Sequence, residues 1–267
     1  IIIGLQAQLS IRDLFIASVI PGLLLTLFLL LTIVYLCWRN PEIGPPGPKT
    51  GMREKFLALG GVVPVLLLFA FVIGGLYLGW FTPTESGAVG AFGALIIALF
   101  MRRLTWKNLK TAVFSTVKSA AMVIMLMVGA IVYGRFLTIT RMPYSLSEFV
   151  DSLNVAPLVV LILILIVYII GGSIMDALGF LIISLPIFYP TVIALGYDPV
   201  WFAVLLCIVT SMGAITPPVG VNVFVVQGLA PEVPVTTIFR GAAYYLVAYL
   251  IFIALLIAVP EIITFVL

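Results

Sequence analysis

Histidine is absent from all 267 residues of this chain, which removes the commonest general base and a frequent metal ligand together. Cysteine occurs twice. Cys37 and Cys207 sit in apolar runs far apart in sequence, so neither a disulfide framework nor a CxxC metal site is available. Charge is scarce as well: 9% of positions are Asp, Glu, Lys or Arg, against about 25% in an ordinary soluble domain. The formal net charge of +3 is too small to suggest nucleic acid as a partner. No GxxxxGK[ST] pattern is present, which argues against a nucleotide-driven pump. With no nucleophile–base pair and no metal cluster in the pattern, the chain does not read as an enzyme.

What the chain has is apolar length. Hydrophobic residues make up 64% of the positions and the mean hydropathy is +1.34, the signature of an all-α polytopic membrane protein. Hydropathy predicts about six crossings plus one re-entrant hairpin. The crossings are expected over Leu14–Trp38, Phe56–Trp80, a glycine-rich third ending near Phe100, Ala120–Ile139, Ala156–Pro186 and Thr237–Val259. Pro64 is placed to kink the second. Gly129 and Gly134 are expected to break the fourth, and Gly171-Gly172-Ser173 the fifth. Between the third and fourth, Leu104–Lys118 sets Leu104, Trp106, Leu109, Val113 and Val117 against Lys107, Lys110 and Lys118, which predicts an interfacial amphipathic helix. The whole of 1–267 reads as one membrane domain. Ile1-Ile-Ile-Gly4 looks like the end of an interrupted segment, so the chain is expected to be part of a longer protein, and no signal peptide is inferred.

Orientation follows from the basic loops. Arg39, Lys49, Arg53 and Lys55 flank one loop (residues 39–55), which contains the breaker-rich Gly44-Pro45-Pro46-Gly47-Pro48 run. Arg102, Arg103, Lys107, Lys110 and Lys118 flank another (residues 101–118), two crossings later. Both are placed in the cytoplasm by the positive-inside rule, so the Thr82–Ser86 turn and the Met142–Asn154 loop face outward. In that turn Thr82 or Thr84 is expected to cap the next helix, with Glu85 in its first turn.

Three places could carry chemistry. The most informative is Gly213-Ala-Ile-Thr-Pro-Pro-Val-Gly-Val-Asn222, set between apolar runs at Trp201–Met212 and Val221–Leu229. A span needs roughly 20 apolar residues, so each arm reaches only part of the way. The bend therefore lies at membrane depth, where irregular backbone survives only against protein or a wet cavity. Residues 200–229 read as a re-entrant hairpin. At its tip Thr216 offers a hydroxyl, the residues before Pro217 offer carbonyls, Asn222 offers an amide, and the second arm's N-terminus offers N–H groups. The alternative is a surface turn between two short helices. The second place is Gly171-Gly-Ser-Ile-Met-Asp176. Freed carbonyls, the Ser173 hydroxyl and Asp176 read as a cation site; alternatively Asp176 caps the following half-helix or pairs with an arginine. The third is Arg135, which either seeks Asp176 or an anionic substrate, or snorkels to the outer interface. Broken helices whose carbonyls face a cation and whose N-termini face an anion describe many secondary transporters.

These residues also resemble a family. Phe81-Thr-Pro-Thr-Glu-Ser86, Gly171-x-x-x-Met175-Asp176, Pro186-x-x-x-Pro190, Leu195-Gly-x-Asp198-Pro199 and Gly213-x-Ile-Thr-Pro-Pro-x-Gly220-x-Asn222 follow the order and spacing of the large, DctM-like membrane subunit of tripartite ATP-independent periplasmic (TRAP) transporters. The resemblance covers essentially the whole chain; Ser86 stands where the family usually has alanine. It implies half of an inverted-repeat, elevator-type transporter, whose other hairpin is expected upstream of Ile1. It also implies import of an organic anion such as a C4-dicarboxylate or sialic acid across a bacterial or archaeal cytoplasmic membrane, with Na+ as coupling ion and no other cofactor. The implied partners are a small four-helix DctQ-like subunit and a periplasmic DctP-like solute-binding protein. Sodium ligands would come from Gly171, Gly172, Ser173, Asp176, Gly213, Thr216, Pro217, Pro218 and Gly220, and substrate contacts from Arg135, Thr216 and Asn222. A sodium-coupled carrier working without a binding protein is the main alternative, and a channel or scaffold subunit a further one.

Overall fold

A computed structural model of the chain describes residues 1–42, 44, 47, 51–102, 104–142, 144–145, 148 and 155–265, with backbone only at 53 and 55–60. The Pro45-Pro46 and Pro48 part of the breaker run, the side chains of Lys49, Arg53, Lys55 and Arg103, and most of the 142–154 loop therefore lie outside the described residues. Those that are described form helices and connecting turns, with no strand among them. The helices are α1 (Ile2–Gln6), α2 (Ile11–Arg39), α3 (Met52–Tyr77), α4 (Pro83–Phe100), α5 (Trp106–Ile139), α6 (Pro157–Ile174), α7 (Ala177–Ala194), α8 (Pro199–Gly213), α9 (Val221–Leu229), α10 (Val235–Ala258) and α11 (Glu261–Thr264). Six of them, α2, α4, α5, α6, α7 and α10, are long and apolar enough to cross a membrane.

The set of six differs from the expectation in instructive ways. Helix α3 runs as one 26-residue helix from Met52 to Tyr77, past Pro64, and is apolar over Gly61–Tyr77, so it covers most of the expected second crossing. The broken fifth crossing is two helices of 18 residues each, and both qualify. Its break falls at Met175 and Asp176, just past the glycines: Met175 is extended, and Asp176 starts the next helix. The second of the pair continues beyond Pro186 to Ala194. The amphipathic Leu104–Lys118 segment is not a separate interfacial helix; it is the start of the continuous 34-residue α5. Nothing between Lys118 and Ala121 stops a helix, since the junction is Ser-Ala-Ala and alanine is the best helix former. Gly129 and Gly134 likewise bend nothing out of α5, for an isolated glycine costs only about 1 kcal/mol in a helix.

The chain divides into two compact units, residues 1–40 with 125–267, and residues 41–124. In the smaller unit α3 packs on α4. Gly93 of α4 lies against Leu68 of α3, and Gly75 of α3 lies under the ring of Phe81 in the turn that leads into α4. Thr82 caps α4: its Oγ1 accepts from the Glu85 N–H (3.3 Å), and the Glu85 carboxylate accepts from the Thr82 N–H (2.8 Å), a reciprocal capping box. The cap anticipated for this turn is therefore present.

In the larger unit α8 is the central element, packed on α2, α6, α7, α10 and α11. Residues 201–206 are all buried, as are Ile208, Val209, Thr210, Met212 and Gly213. Its start is fixed by Asp198, whose carboxylate accepts from the Trp201 N–H at 2.8 Å. Trp201 Nε1 then donates to the Leu256 carbonyl at 3.1 Å, so even the indole nitrogen inside the core is paired. Helix α2 joins this core through Phe28, whose ring centre is 5.3 Å from that of Phe252.

Candidate functional site: the junction of two helix breaks

The two interrupted segments come together. Where α6 crosses α8, a Cβ built on Gly213 would lie 3.1 Å from both the Cα and the carbonyl carbon of Gly172, and 3.2 Å from the Ile169 carbonyl oxygen. Glycine at both positions lets the helix backbones touch. Gly171 faces the ring of Phe180, which occupies the space a side chain would need. At the residue after Gly172, the carbonyl of Ser173 accepts from the N–H groups of Val219 (3.2 Å) and Gly220 (3.3 Å), tying the break after α6 to the 214–220 tip. The tip holds itself together through two shorter links. Thr216 N–H donates to the Gly213 carbonyl (3.0 Å), and Asn222 N–H to the Ala214 carbonyl (3.0 Å). Gly220 has φ of +55°, a left-handed conformation that suits glycine, and it is followed directly by α9.

The polar atoms of the junction are disposed unevenly. Ser173 Oγ donates to the Ile170 carbonyl (2.7 Å), and Thr216 Oγ1 to the Met212 carbonyl (2.7 Å). Each hydroxyl proton is thereby spent on a helix carbonyl, and each oxygen keeps its lone pairs for a cation or a donor. Among the described residues no backbone N–H donates to the carbonyls of Gly172, Ile215 or Thr216. Pro217 and Pro218 contribute to this, because they supply no N–H that could do so. The junction is thus richer in acceptors than in donors, which favours a small hard cation.

The N–H groups at the start of α9 were expected to be open to an anion. They are largely engaged: Gly220 with Ser173, Asn222 with Ala214, and Val223 with Gly220 (2.8 Å). Because the Gly220 turn folds the tip back onto its neighbours, the dipole end is closed by backbone oxygens. The two arms also do not run side by side along their lengths. Helix α9 packs on α10, while α8 lies in the core.

Asp176 caps α7. Its Oδ2 accepts from the Gly179 N–H at 3.0 Å, one of the readings the sequence left open, and its side chain is exposed. Arg135 stands on α5, exposed, and forms no ion pair with Asp176 or with any other described residue. The cleft beside the tip, about 530 Å³, is lined from α1, α2, α7, α8 and α9 by residues that include Ala177, Leu178, Thr210, Ser211, Ala214 and Asn222. Asn222 therefore reaches a cavity next to the junction; Arg135 is not among its lining residues. Ser211 and Thr210 were not singled out from sequence. They stand three and four residues before the tip, at the end of α8, but only the packing of α8 shows which of its faces is open.

Gln6 was missed as well. Its Nε2 donates to the Ile182 carbonyl at 3.2 Å. Ile182 is the residue whose helical partner would be the N–H of residue 186, and Pro186 has none. A side chain distant in sequence thus supplies the missing donor.

Comparison with known proteins identifies the family. The family described as "Tripartite ATP-independent periplasmic transporter, DctM component" matches residues 1–262. A C4-dicarboxylate TRAP transporter large permease protein of Pseudomonas aeruginosa is 30% identical over 98% of this chain and 61% of its own length. A sialic acid TRAP transporter large permease protein of Vibrio cholerae is 31% identical over the same shares. An isethionate TRAP transporter permease protein of Oleidesulfovibrio alaskensis is 35% identical over 86% of this chain and 36% of its own length. The chain spans about three fifths of the length of the first two of these relatives. The chain belongs to the DctM family of TRAP transporter large permease components, and is a multi-pass membrane protein.

Proposed function

We propose that the chain is part of a secondary transporter in which a sodium gradient drives import of an organic anion, with the sodium held at the junction of the two breaks. The observation that carries this reading is the pairing of Val219 and Gly220 with the Ser173 carbonyl. It brings two interrupted helices together, and the carbonyls of Gly172, Ile215 and Thr216 and the hydroxyl oxygens of Ser173 and Thr216 lie on the two segments that meet. Candidate sodium ligands are drawn from Gly171, Gly172, Ser173, Gly213, Thr216, Pro217, Pro218 and Gly220. Asp176 supplies negative charge at the edge, and a cation there offsets part of what an exposed carboxylate costs at membrane depth. Thr216 and Asn222 face the substrate from the tip. Arg135 serves an anionic substrate only if α5 and the tip approach during the transport cycle.

The relatives named for C4-dicarboxylate, isethionate and sialic acid support a carboxylate or sulfonate as cargo. The family description supports a partnership with a small DctQ-like membrane subunit and a DctP-like periplasmic binding protein. Placement in the cytoplasmic membrane of a bacterium or archaeon follows from the same reading. The coupling ion requires no other cofactor.

The test is uptake of radiolabelled organic acids into proteoliposomes carrying the complete transporter and its binding protein. An inward sodium gradient should drive accumulation, and replacing sodium by potassium or choline should remove it. Equal accumulation in all three salts would overturn the coupling. Uptake that does not need the binding protein would favour a carrier working alone.

A further inference from the structure

We infer that the groove between α2 and α10 is a binding site for one anionic phospholipid, with its headgroup phosphate at Arg39 and an acyl chain lying toward Phe28. The groove has a volume of about 580 Å³. Phe28, Leu31 and Thr32 line it from α2, and Val247, Ala248 and Ile251 from α10. Leu31, Val247 and Ile251 are each more than half exposed, at 55%, 56% and 55%. A groove of this kind in a membrane protein is solvated by lipid, and its polar end decides which lipid.

That end carries positive charge. Arg39 is the last residue of α2 and lines the groove together with Tyr35 and Asn40. Its Nη1 donates to the Tyr35 hydroxyl at 2.9 Å, which holds the guanidinium along the helix face that forms the groove wall. From the opposite wall Tyr244 enters the lining, and Arg240 lies one helical turn before it on α10. Among the described residues neither Arg39 nor Arg240 has a carboxylate partner, and both are exposed. Two unpaired arginines and two tyrosine hydroxyls at the mouth of an apolar groove complement a phosphate diester, since arginine binds phosphate oxygens through its planar fork of donors and tyrosine is favoured at headgroup level.

The dimensions agree. Helix α2 has 29 residues, roughly 43 Å at about 1.5 Å per residue, which exceeds a hydrocarbon core of about 30 Å. Its terminal Arg39 therefore reaches the headgroup level. Phe28 lies eleven residues earlier, about 16 Å down the helix, close to half the core thickness. The groove is one leaflet deep, the depth of a single acyl chain. A transmembrane helix from another protein would continue past Phe28, where the Phe252 ring closes the space between α2 and α10.

Native mass spectrometry of the complete transporter, purified in detergent and supplied with defined mixtures of phosphatidylglycerol and phosphatidylcholine, tests this. Phosphatidylglycerol should be retained in preference to phosphatidylcholine. Arg39→Gln and Arg240→Gln should each reduce the preference about fivefold, the contribution of one basic residue near an anionic surface. Arg39→Lys, which keeps the charge and loses the fork, should fall between the unaltered protein and Arg39→Gln. Val247→Trp, which fills the groove and leaves both arginines, should lower retention of either lipid. Equal retention of the two lipids, or a preference untouched by both arginine substitutions, would overturn the proposal. So would disulfide crosslinking of a Val247→Cys variant, made with native cysteines replaced, to a cysteine scan of the small membrane subunit or of a second copy.

Discussion

Gly172 and Gly213 meet backbone against backbone, and the meeting is asymmetric. A Cβ on Gly213 would press within 3.1 Å of the Gly172 main chain, whereas a Cβ on Gly172 would find Gly213 Cα at an ordinary 3.5 Å. Backbone atoms cannot swing aside as a side chain can, so the two glycines are not equivalent.

Gly213→Ala should therefore force α6 and α8 apart and cost about 1–3 kcal/mol, the usual range for overpacking. Gly172→Ala should be neutral to stabilising by up to about 1 kcal/mol, because a contact at ordinary distance is combined with the gain of alanine over glycine in a helix. Thermal unfolding of the two variants in detergent checks the difference. Equal losses would show that the crossing is looser than the contact distances require.

Gly220→Ala places a methyl group 3.1 Å from the Thr216 carbonyl oxygen and from the Phe239 ring, at a φ of +55°. Left-handed backbone costs a residue with a Cβ roughly 1–2 kcal/mol. The strain acts on the N–H that reaches Ser173. Sodium-driven uptake in proteoliposomes should fall sharply, while the variant still inserts and purifies. Full activity would mean that the tip tolerates a different turn.

Asp176 separates two roles that alanine alone cannot. Asparagine retains an oxygen for the Gly179 N–H and so preserves the cap, but carries no charge. Asp176→Asn should keep stability and lose sodium-driven uptake; Asp176→Ala should lose uptake and about 1 kcal/mol of stability as well. If the asparagine variant transports normally, the carboxylate is a helix cap and nothing more.

Gln6 and Pro186 should be coupled. Gln6→Leu leaves the buried end of the Ile182 carbonyl without its donor, at a cost of about 1–3 kcal/mol. In a Pro186→Ala background the alanine N–H can serve that carbonyl through the helix, so the same Gln6 substitution should cost much less. The double-mutant cycle in thermal unfolding should return a coupling of roughly 0.5–3 kcal/mol. Additive losses would mean that the two residues act separately.

Much of the fold was legible because its signals are local. The cap at Thr82 with Glu85 in the first turn, the cap at Asp176 and the end of α8 before Pro217 and Pro218 each depend on residues close together in sequence. The extent of α5 was misread for a related reason. An alternation of lysines and apolar residues marks a face, but it contains no stop signal, and without glycine or proline at Ser119–Ala121 the helix runs on.

By itself the sequence determined the class of the protein, through its apolar runs, and marked two places where its helices break, at Gly171–Asp176 and Gly213–Gly220, although Gly129 and Gly134 break nothing. Hydropathy and backbone stereochemistry act over a few residues and can be read in order along the chain. Only the tertiary structure decided that the break after Ile174 receives the tip at Val219 and Gly220, that Gly172 touches Gly213, and that Gln6 serves a carbonyl orphaned by Pro186. Those partners are tens to more than a hundred residues apart in sequence. No local preference encodes such pairs; the packing of α8 at the centre of its unit brings the breaks together, and the need to satisfy buried backbone groups selects the contacts.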